Sequence, residues 1–155
     1  MLISLPFADY RSELKLKRDQ DKRWIFDPIR EKWLVLLPEE FVRQLIILYF
    51  LREKGYNSNR IAVERGLTYN NLSKRCDLLV FAPDLKPFLL VECKAPSVPI
   101  TQDAFRQIAI YNMQLNVPFL MVSNGMDTYC CAIDHEERTY HYLSDLPEYP
   151  TEIGF

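Results

Sequence analysis

Asp77, Glu92 and Lys94 lie inside RCDLLVFAPDLKPFLLVECKAP (residues 75–96), a stretch whose remaining residues read as two buried strands joined by a turn. Side chains alternate across a strand, so Glu92 and Lys94 project from one face while Val91 and Cys93 project from the other. The short turn between Pro83 and Pro87 makes the two strands antiparallel neighbours and sets Asp77 across from the Glu92 end. Two carboxylates and an amine gathered in this way suit phosphodiester hydrolysis. The acids would hold a hard, oxygen-seeking cation such as Mg²⁺. The lysine would orient the attacking water or offset the negative charge that develops on the phosphate. The same residues also fit a plain strand-edge salt bridge between Lys94 and either acid.

Several elements must position these groups. Alternating pieces in ELKLK, RWIF and WLVLL predict a small antiparallel meander over about residues 12–37. PEEFVRQLIILYFLREKG then reads as a helix, with Pro38 at its first position, Glu39 and Glu40 at its positive end, and Gly55 as the stop. RIAVERGL reads as a strand and TYNNLSK as a turn. After the central hairpin, Thr101 is the N-cap and Asp103 a first-turn acid of a helix reaching about Leu115. VPFLMVSN, TYCCAID and RTYHYL read as three further strands, and the tail SDLPEYPTEIGF as surface. The sum is a mixed sheet flanked by helices, an α/β (α+β three-layer) core.

The bulk composition limits the function classes. A chain of 155 residues fits one domain, and an apolar content of 48% with 9 Tyr and 9 Phe belongs to a folded protein. A formal charge of −2 gives no global basic signature, so any nucleic-acid contact would rely on local patches or a basic partner. The N-terminus lacks a basic segment followed by an apolar one, and FVRQLIILYFL is too short and too charged to span a bilayer, so a cytoplasmic location without membrane contact is expected. Cys76, Cys93, Cys130 and Cys131 stand at no metal-ligand spacing and read as small buried hydrophobes in a reducing compartment.

Asp77 followed after a hairpin by VECKAP resembles the PD-(D/E)xK nuclease signature. More closely, LPEEFVRQ, AVERG, KRCDLLVF, LLVECKAPS, ITQDAFRQIAIYN and VPFLMVSNG, in that order, resemble the N-terminal nuclease domain of the R (motor) subunits of type I restriction enzymes, over roughly Asp27 to Tyr142. The resemblance implies a restriction-endonuclease-like fold and Mg²⁺-dependent DNA cleavage, endonucleolytic in kind, with Mn²⁺ as a substitute ion. It makes Asp77 and Glu92 metal-binding acids and Lys94 the catalytic lysine. Gln107 and Tyr111 match a Q-x-x-x-Y motif on the helix after the catalytic hairpin, and their spacing of four independently puts both on one helix face. Without that match, Tyr111 reads equally as a core aromatic and Gln107 as a surface residue.

A helical glutamate often completes the metal site in this superfamily. Glu40 is the choice here, Glu39 and Glu64 the alternatives, and either helical acid could instead merely favour the helix N-terminus. Arg75, with Lys74 and Arg106, could contact phosphate or be solvated surface. The chain departs from the R subunits in having no Walker A glycine-lysine loop and no room for helicase domains, so ATP-driven translocation is not expected within it. The implied partners are DNA and restriction-modification subunits or a separate motor protein. Another class of reading is a non-catalytic module that keeps the fold and binds nucleic acid or protein. A hydrolase built on His135 or His141 is the weakest reading, since no serine or cysteine elbow accompanies them.

Overall fold

The computed structural model describes residues 2–151. A 3₁₀ segment, Phe7–Glu13, leads into β1 (Leu16–Asp19), β2 (Lys22–Asp27) and β3 (Lys32–Val35), which pair antiparallel as a separate three-stranded sheet. The expected meander is present, but its first strand begins at Leu16. Glu13, which ELKLK assigned to that strand, closes the 3₁₀ turn, where Phe7 and Tyr10 are anchored in the core and their rings meet Tyr49 edge-on.

Helix α1 (Pro38–Arg52) starts and stops as its sequence dictates: Pro38 needs no backbone donor in the first turn, and Gly55 turns the chain away at φ +62°. All nine residues from Val42 to Phe50 are buried, Arg43 and Gln44 included. A helix covered all round is a core element, which its weak apolar-polar segregation reflects.

β4 (Ile61–Tyr69), β5 (Leu72–Phe81), β6 (Pro87–Cys93), β7 (Phe119–Ser123), β8 (Thr128–Asp134) and β9 (Thr139–Tyr142) follow one another across a six-stranded sheet. Every neighbouring pair is antiparallel except β6 and β7, which run parallel and are joined through α2 (Gln102–Asn112). Leu78, Val80, Leu89 and Val91 pack on the α1 side of the sheet; Leu79, Leu90, Leu120 and Val122 pack with Phe105 and Ala109 of α2 on the other. The sheet therefore lies between two helices, which is the three-layer α/β arrangement expected from the sequence.

Three local expectations need correction. TYNNLSK is mostly strand: β4 and β5 extend to Tyr69↔Leu72, and only Asn70 and Asn71 form the turn, at φ 49° and 66°. Two left-handed residues are what a tight hairpin twist demands, and asparagine tolerates that region. Asn71→Ala is expected to lower stability by about 1 kcal/mol, and Asn71→Gly to be tolerated, as read from urea unfolding midpoints. Helix α2 begins after Thr101, whose hydroxyl accepts from the Ala104 amide at 3.0 Å, but it ends at Asn112, where Gln114 and Leu115 donate to the carbonyls of Tyr111 and Asn112 in tighter turns. The tail is more than surface: Leu146 is buried, and Tyr149 lies against the rings of Tyr56 and Phe88 and donates its hydroxyl proton to the Phe81 carbonyl at 2.7 Å. Aromatic area recruited late in the chain covers an end of the α1-side core that nothing local in the sequence marks as open.

Candidate active site

β5 and β6 carry the acids. Their register runs Leu78↔Val91 and Leu79↔Leu90, so Asp77 falls opposite the Glu92 end as expected. Beyond Leu78 the two strands are no longer paired as a ladder, and the Asp77 carboxylate substitutes for a strand partner: its Oδ2 accepts from the Cys93 amide at 2.7 Å. Asp77 is thereby fastened to the peptide that joins Glu92 to Cys93. Lys94, one residue on, is fixed by its own amide donating to the Ser123 carbonyl at 2.9 Å on β7.

The direction of Asp77 depends on an irregularity in β4. Pairing with β5 passes from Val63↔Leu78 to Arg65↔Cys76 and omits Glu64 and Asp77, and Glu64 is left-handed at φ 51°. Side-chain alternation is interrupted there: Val63 and Leu78 pack on the α1 side, whereas Cys76 and Leu67 pack on the α2 side. A left-handed residue inside a strand re-aims its neighbours, and for a glutamate it is an uncommon conformation that the surroundings must hold in place.

Asp77 and Glu64 both meet Arg43, a cation of α1 that is only 5% exposed. Its guanidinium lies 3.4 Å from carboxylate oxygens of Glu40 and Glu64 and 3.6 Å from Asp77 Oδ1. Arg30, from the β2–β3 turn, reaches Asp27 at 2.7 Å, Glu40 at 3.1 Å and Glu64 at 3.3 Å. Glu40 is thus held by Arg30, Arg43 and Gln44, Glu64 by Arg30, Arg43 and Arg75, and Glu39 is exposed. Arg75, exposed on β5, has its guanidinium on Glu64 at 3.3 Å.

Electrostatics in this network follow from burial opposed by pairing. Burial alone would raise the Glu64 carboxyl, but Arg43, Arg30 and Arg75 outweigh it and hold it below its ordinary value. Burial likewise works against charged Arg43, yet the carboxylates of Glu40, Asp77 and Glu64 raise its pKa and keep it protonated. Asp27 is fully buried; burial pushes its carboxyl up, and hydrogen bonds from the Arg30 amide and side chain, with Gln44, bring it below the ordinary 3.8. A carboxyl lowered on folding stabilises fully above its unfolded value and loses that contribution as the pH falls through the folded one. Thermal midpoints should therefore drop as the pH is taken below 3.8, and Asp27→Asn should flatten that part of the profile.

Glu92 has a different partner. Lys74 Nζ is 2.6 Å from Glu92 Oε1, an ion pair without hydrogen-bond geometry, so that the buried oxygen has no hydrogen-bond donor among the described residues. The Lys74 ammonium also sits 5.1 Å from the centre of the Tyr111 ring, and the Tyr111 hydroxyl donates to the Ser73 carbonyl at 3.4 Å. Lys94, Gln107 and Tyr111 line one cavity of about 470 Å³ with Lys74, Ile100 and Val122. The simple salt bridge of Lys94 with Asp77 or Glu92 is not formed: Lys74 pairs with Glu92 and Arg43 approaches Asp77, while Lys94 has no ion pair among the described residues. The three charges are neighbours through the Glu92–Lys94 backbone without pairing with each other.

A cation centre can be judged on these donors. Among the described residues, no three His, Cys, Asp or Glu side chains are grouped closely enough to hold an ion by themselves. Mg²⁺ asks for less, since it keeps several waters and takes one or two carboxylates plus substrate phosphate. Asp77 and Glu92 carry hard oxygen donors of the kind such an ion takes, and among the described residues the buried Glu92 oxygen has only the Lys74 ammonium beside it.

Other sequence candidates stand apart. Arg106 lines a separate surface hollow with Ile110 and Arg138. His135 bridges the Met113 and Val117 carbonyls at 3.2 and 2.8 Å, a latch on the turn after α2, and exposed His141 lies on the edge strand β9. All four cysteines are free and buried, with burial pushing the Cys76 thiol up to about 11 and Cys93 well above its ordinary value. Among the described residues no helix is long and apolar enough to cross a membrane. Sequence reasoning missed Asp27, Arg30, Arg43 and Gln44. The available signal was two charged or amide residues inside the otherwise apolar run FVRQLIILYFL.

One solved structure, a fragment assigned as an HsdR subunit of a type I restriction enzyme from Vibrio vulnificus YJ016, matches with 23% identity over 72% of this chain and a TM-score of 0.48. The chain spans only 24% of that protein's length. No curated protein matches the chain. The family model for the type I restriction enzyme R protein N terminus matches residues 38–147, from the first residue of α1 to beyond β9. With most of its length in that match, the chain belongs to the family of type I restriction enzyme R protein N-terminal domains.

Proposed function

We propose that this chain is the nuclease module of a restriction system, a Mg²⁺-dependent DNA endonuclease with a PD-(D/E)xK-type site, acting in the cytoplasm with restriction-modification subunits or a separate motor protein. The observation that carries this reading is the Asp77 carboxylate bonded to the Cys93 amide at 2.7 Å, which ties the first acid to the backbone between Glu92 and Lys94. Asp77 and Glu92 would hold the ion, while Glu40, the third acid expected at the metal, lies against Arg43 and Arg30, from where it would tune the charge around Asp77. When bound, the ion would lend Lewis acidity to the scissile phosphate and acidify water.

The chain's own residues would do the rest. Lys94, which pairs with no carboxylate among the described residues, would orient the attacking water or offset charge on the phosphate. Gln107 and Tyr111, on the wall of the same cavity, would position the substrate backbone, and exposed Arg75 would meet a flanking phosphate. Restricting the substrate to DNA rests on family membership alone.

The test is cleavage of supercoiled and linear DNA by the purified protein in Mg²⁺, Mn²⁺ or EDTA. Cutting that needs the divalent ion is expected. A specific observation favours a second reading, since both acids already face cations, Arg43 and Lys74. A module whose acids serve only structure would bind DNA with strong salt dependence and leave it intact in either ion.

A further inference from the structure

Lys74 has no role in the reading above, yet it is the group in contact with Glu92. Its ammonium is 2.6 Å from Glu92 Oε1, both side chains are mostly covered (20% and 13% exposed), and that oxygen has no hydrogen-bond donor among the described residues. The lysine is also positioned independently of Glu92, over the Tyr111 ring, and it lines the same cavity as Lys94, Gln107 and Tyr111. A half-buried carboxylate facing a single point charge can exchange that charge for another cation of similar reach. Lys94, the lysine the motif singles out, makes no such pair among the described residues.

On the reading of this site as a cation-dependent nuclease, we propose that Lys74 is an exchangeable counter-ion, neutralising Glu92 in the free protein and moving to a DNA backbone phosphate when a divalent cation takes its place. The ammonium and the divalent cation compete for one carboxylate, so Lys74 weakens cation binding in the absence of DNA. A phosphate entering the cavity gives the ammonium another partner and removes the competition. Cation and DNA then each raise the other's affinity by the same factor, as linkage requires. Lys74 acts through Glu92 on the cation and is a positioning residue. Tyr111 serves as the surface along which the ammonium stays solvated by a ring face in either position.

The experiment is titration of the full chain with Mn²⁺, free ion being followed by electron paramagnetic resonance. It is run alone and with a short phosphorothioate duplex that resists cleavage, the duplex blank being subtracted. Wild type, Lys74→Met, Lys74→Arg and Glu92→Gln are compared. Lys74→Met is expected to bind Mn²⁺ about tenfold more tightly than wild type without DNA, within the usual range of linked sites, and to lose that advantage when DNA is present. Lys74→Arg, which keeps the charge, should behave as wild type and shows that the effect is one of charge. Equal or weaker Mn²⁺ binding by Lys74→Met without DNA overturns the exchange. If Glu92→Gln binds Mn²⁺ as wild type does, the ion is elsewhere and the nuclease reading of the site fails with it. If Glu92→Gln loses Mn²⁺ while Lys74→Met gains nothing, that reading stands and only the role of Lys74 falls.

Discussion

Lys94→Ala is expected to lower divalent-ion-dependent DNA cleavage by about two to three orders of magnitude, the usual cost of removing one positioned group that meets developing charge. The same change should leave the unfolding midpoint nearly where it was. Lys94 has no ion pair among the described residues, so truncating it strands no buried carboxylate, and a substitution away from the core shifts stability by about 0.5 kcal/mol or less. Its place is set by its backbone, through the amide bond to Ser123 on β7, which alanine keeps. Few positions in this site separate chemistry from folding so well. Glu92→Ala would also stop cleavage on this reading, but it frees the Lys74 ammonium over Tyr111, and Asp77→Ala leaves the Cys93 amide without its acceptor. Steady-state cleavage beside circular dichroism melting reads both quantities. Undiminished cutting by Lys94→Ala would remove Lys94 from the site, whatever became of the activity itself.

The contrast between Lys94 and its neighbours also marks what the sequence could and could not say. Period-two alternation and a proline-bounded turn were enough to pair Asp77 with the Glu92 end, because register between adjacent strands is local geometry. Helix α1 was legible from Pro38 and Gly55, and α2 from Thr101, because caps are local too. Which cation faces each acid was not legible. Arg43 reaches Asp77 from a helix more than thirty residues upstream, and Lys74 reaches Glu92 from the neighbouring strand at a register the apolar pattern leaves open. The left-handed Glu64 was equally hidden, since nothing in AVERG distinguishes a straight strand from one whose alternation reverses. Asn70 and Asn71 both favour turns and suggest a long one, because the strands on either side carry mixed polar residues that offer no clean alternation. Glu40 shows the same limit from the other direction. Its helix position follows from the sequence, as does its i,i+3 neighbour Arg43, but its engagement with Arg30 depends on a hairpin whose closing residue, Asp27, turns the Arg30 side chain toward it.

Arg43→Ala is expected to destabilise the protein by about 3 kcal/mol, at the lower end of what is lost when one partner of a buried charge network is removed. The lower end is appropriate because its partners are unequally covered: Glu40 is 12% exposed, Asp77 26% and Glu64 41%, so solvent relieves part of the repulsion that remains. Arg30 still holds Glu40 and Glu64, but Asp77 has no other cation within reach among the described residues. Two consequences follow from that geometry. Stability should be recovered partly in Arg43→Ala with Asp77→Asn, because the double change removes the charge that the single one leaves without a cation, and the coupling between the two sites should exceed what independent substitutions give. Arg43→Lys should fall between them, since an ammonium cannot span three carboxylates as a guanidinium fork does. Urea unfolding of wild type, Arg43→Ala, Asp77→Asn, the double variant and Arg43→Lys, with midpoints and slopes compared, tests this. Additive losses in the double variant would mean that Arg43 serves α1 packing through its aliphatic stem, and that Asp77 is held in place by the Cys93 amide alone.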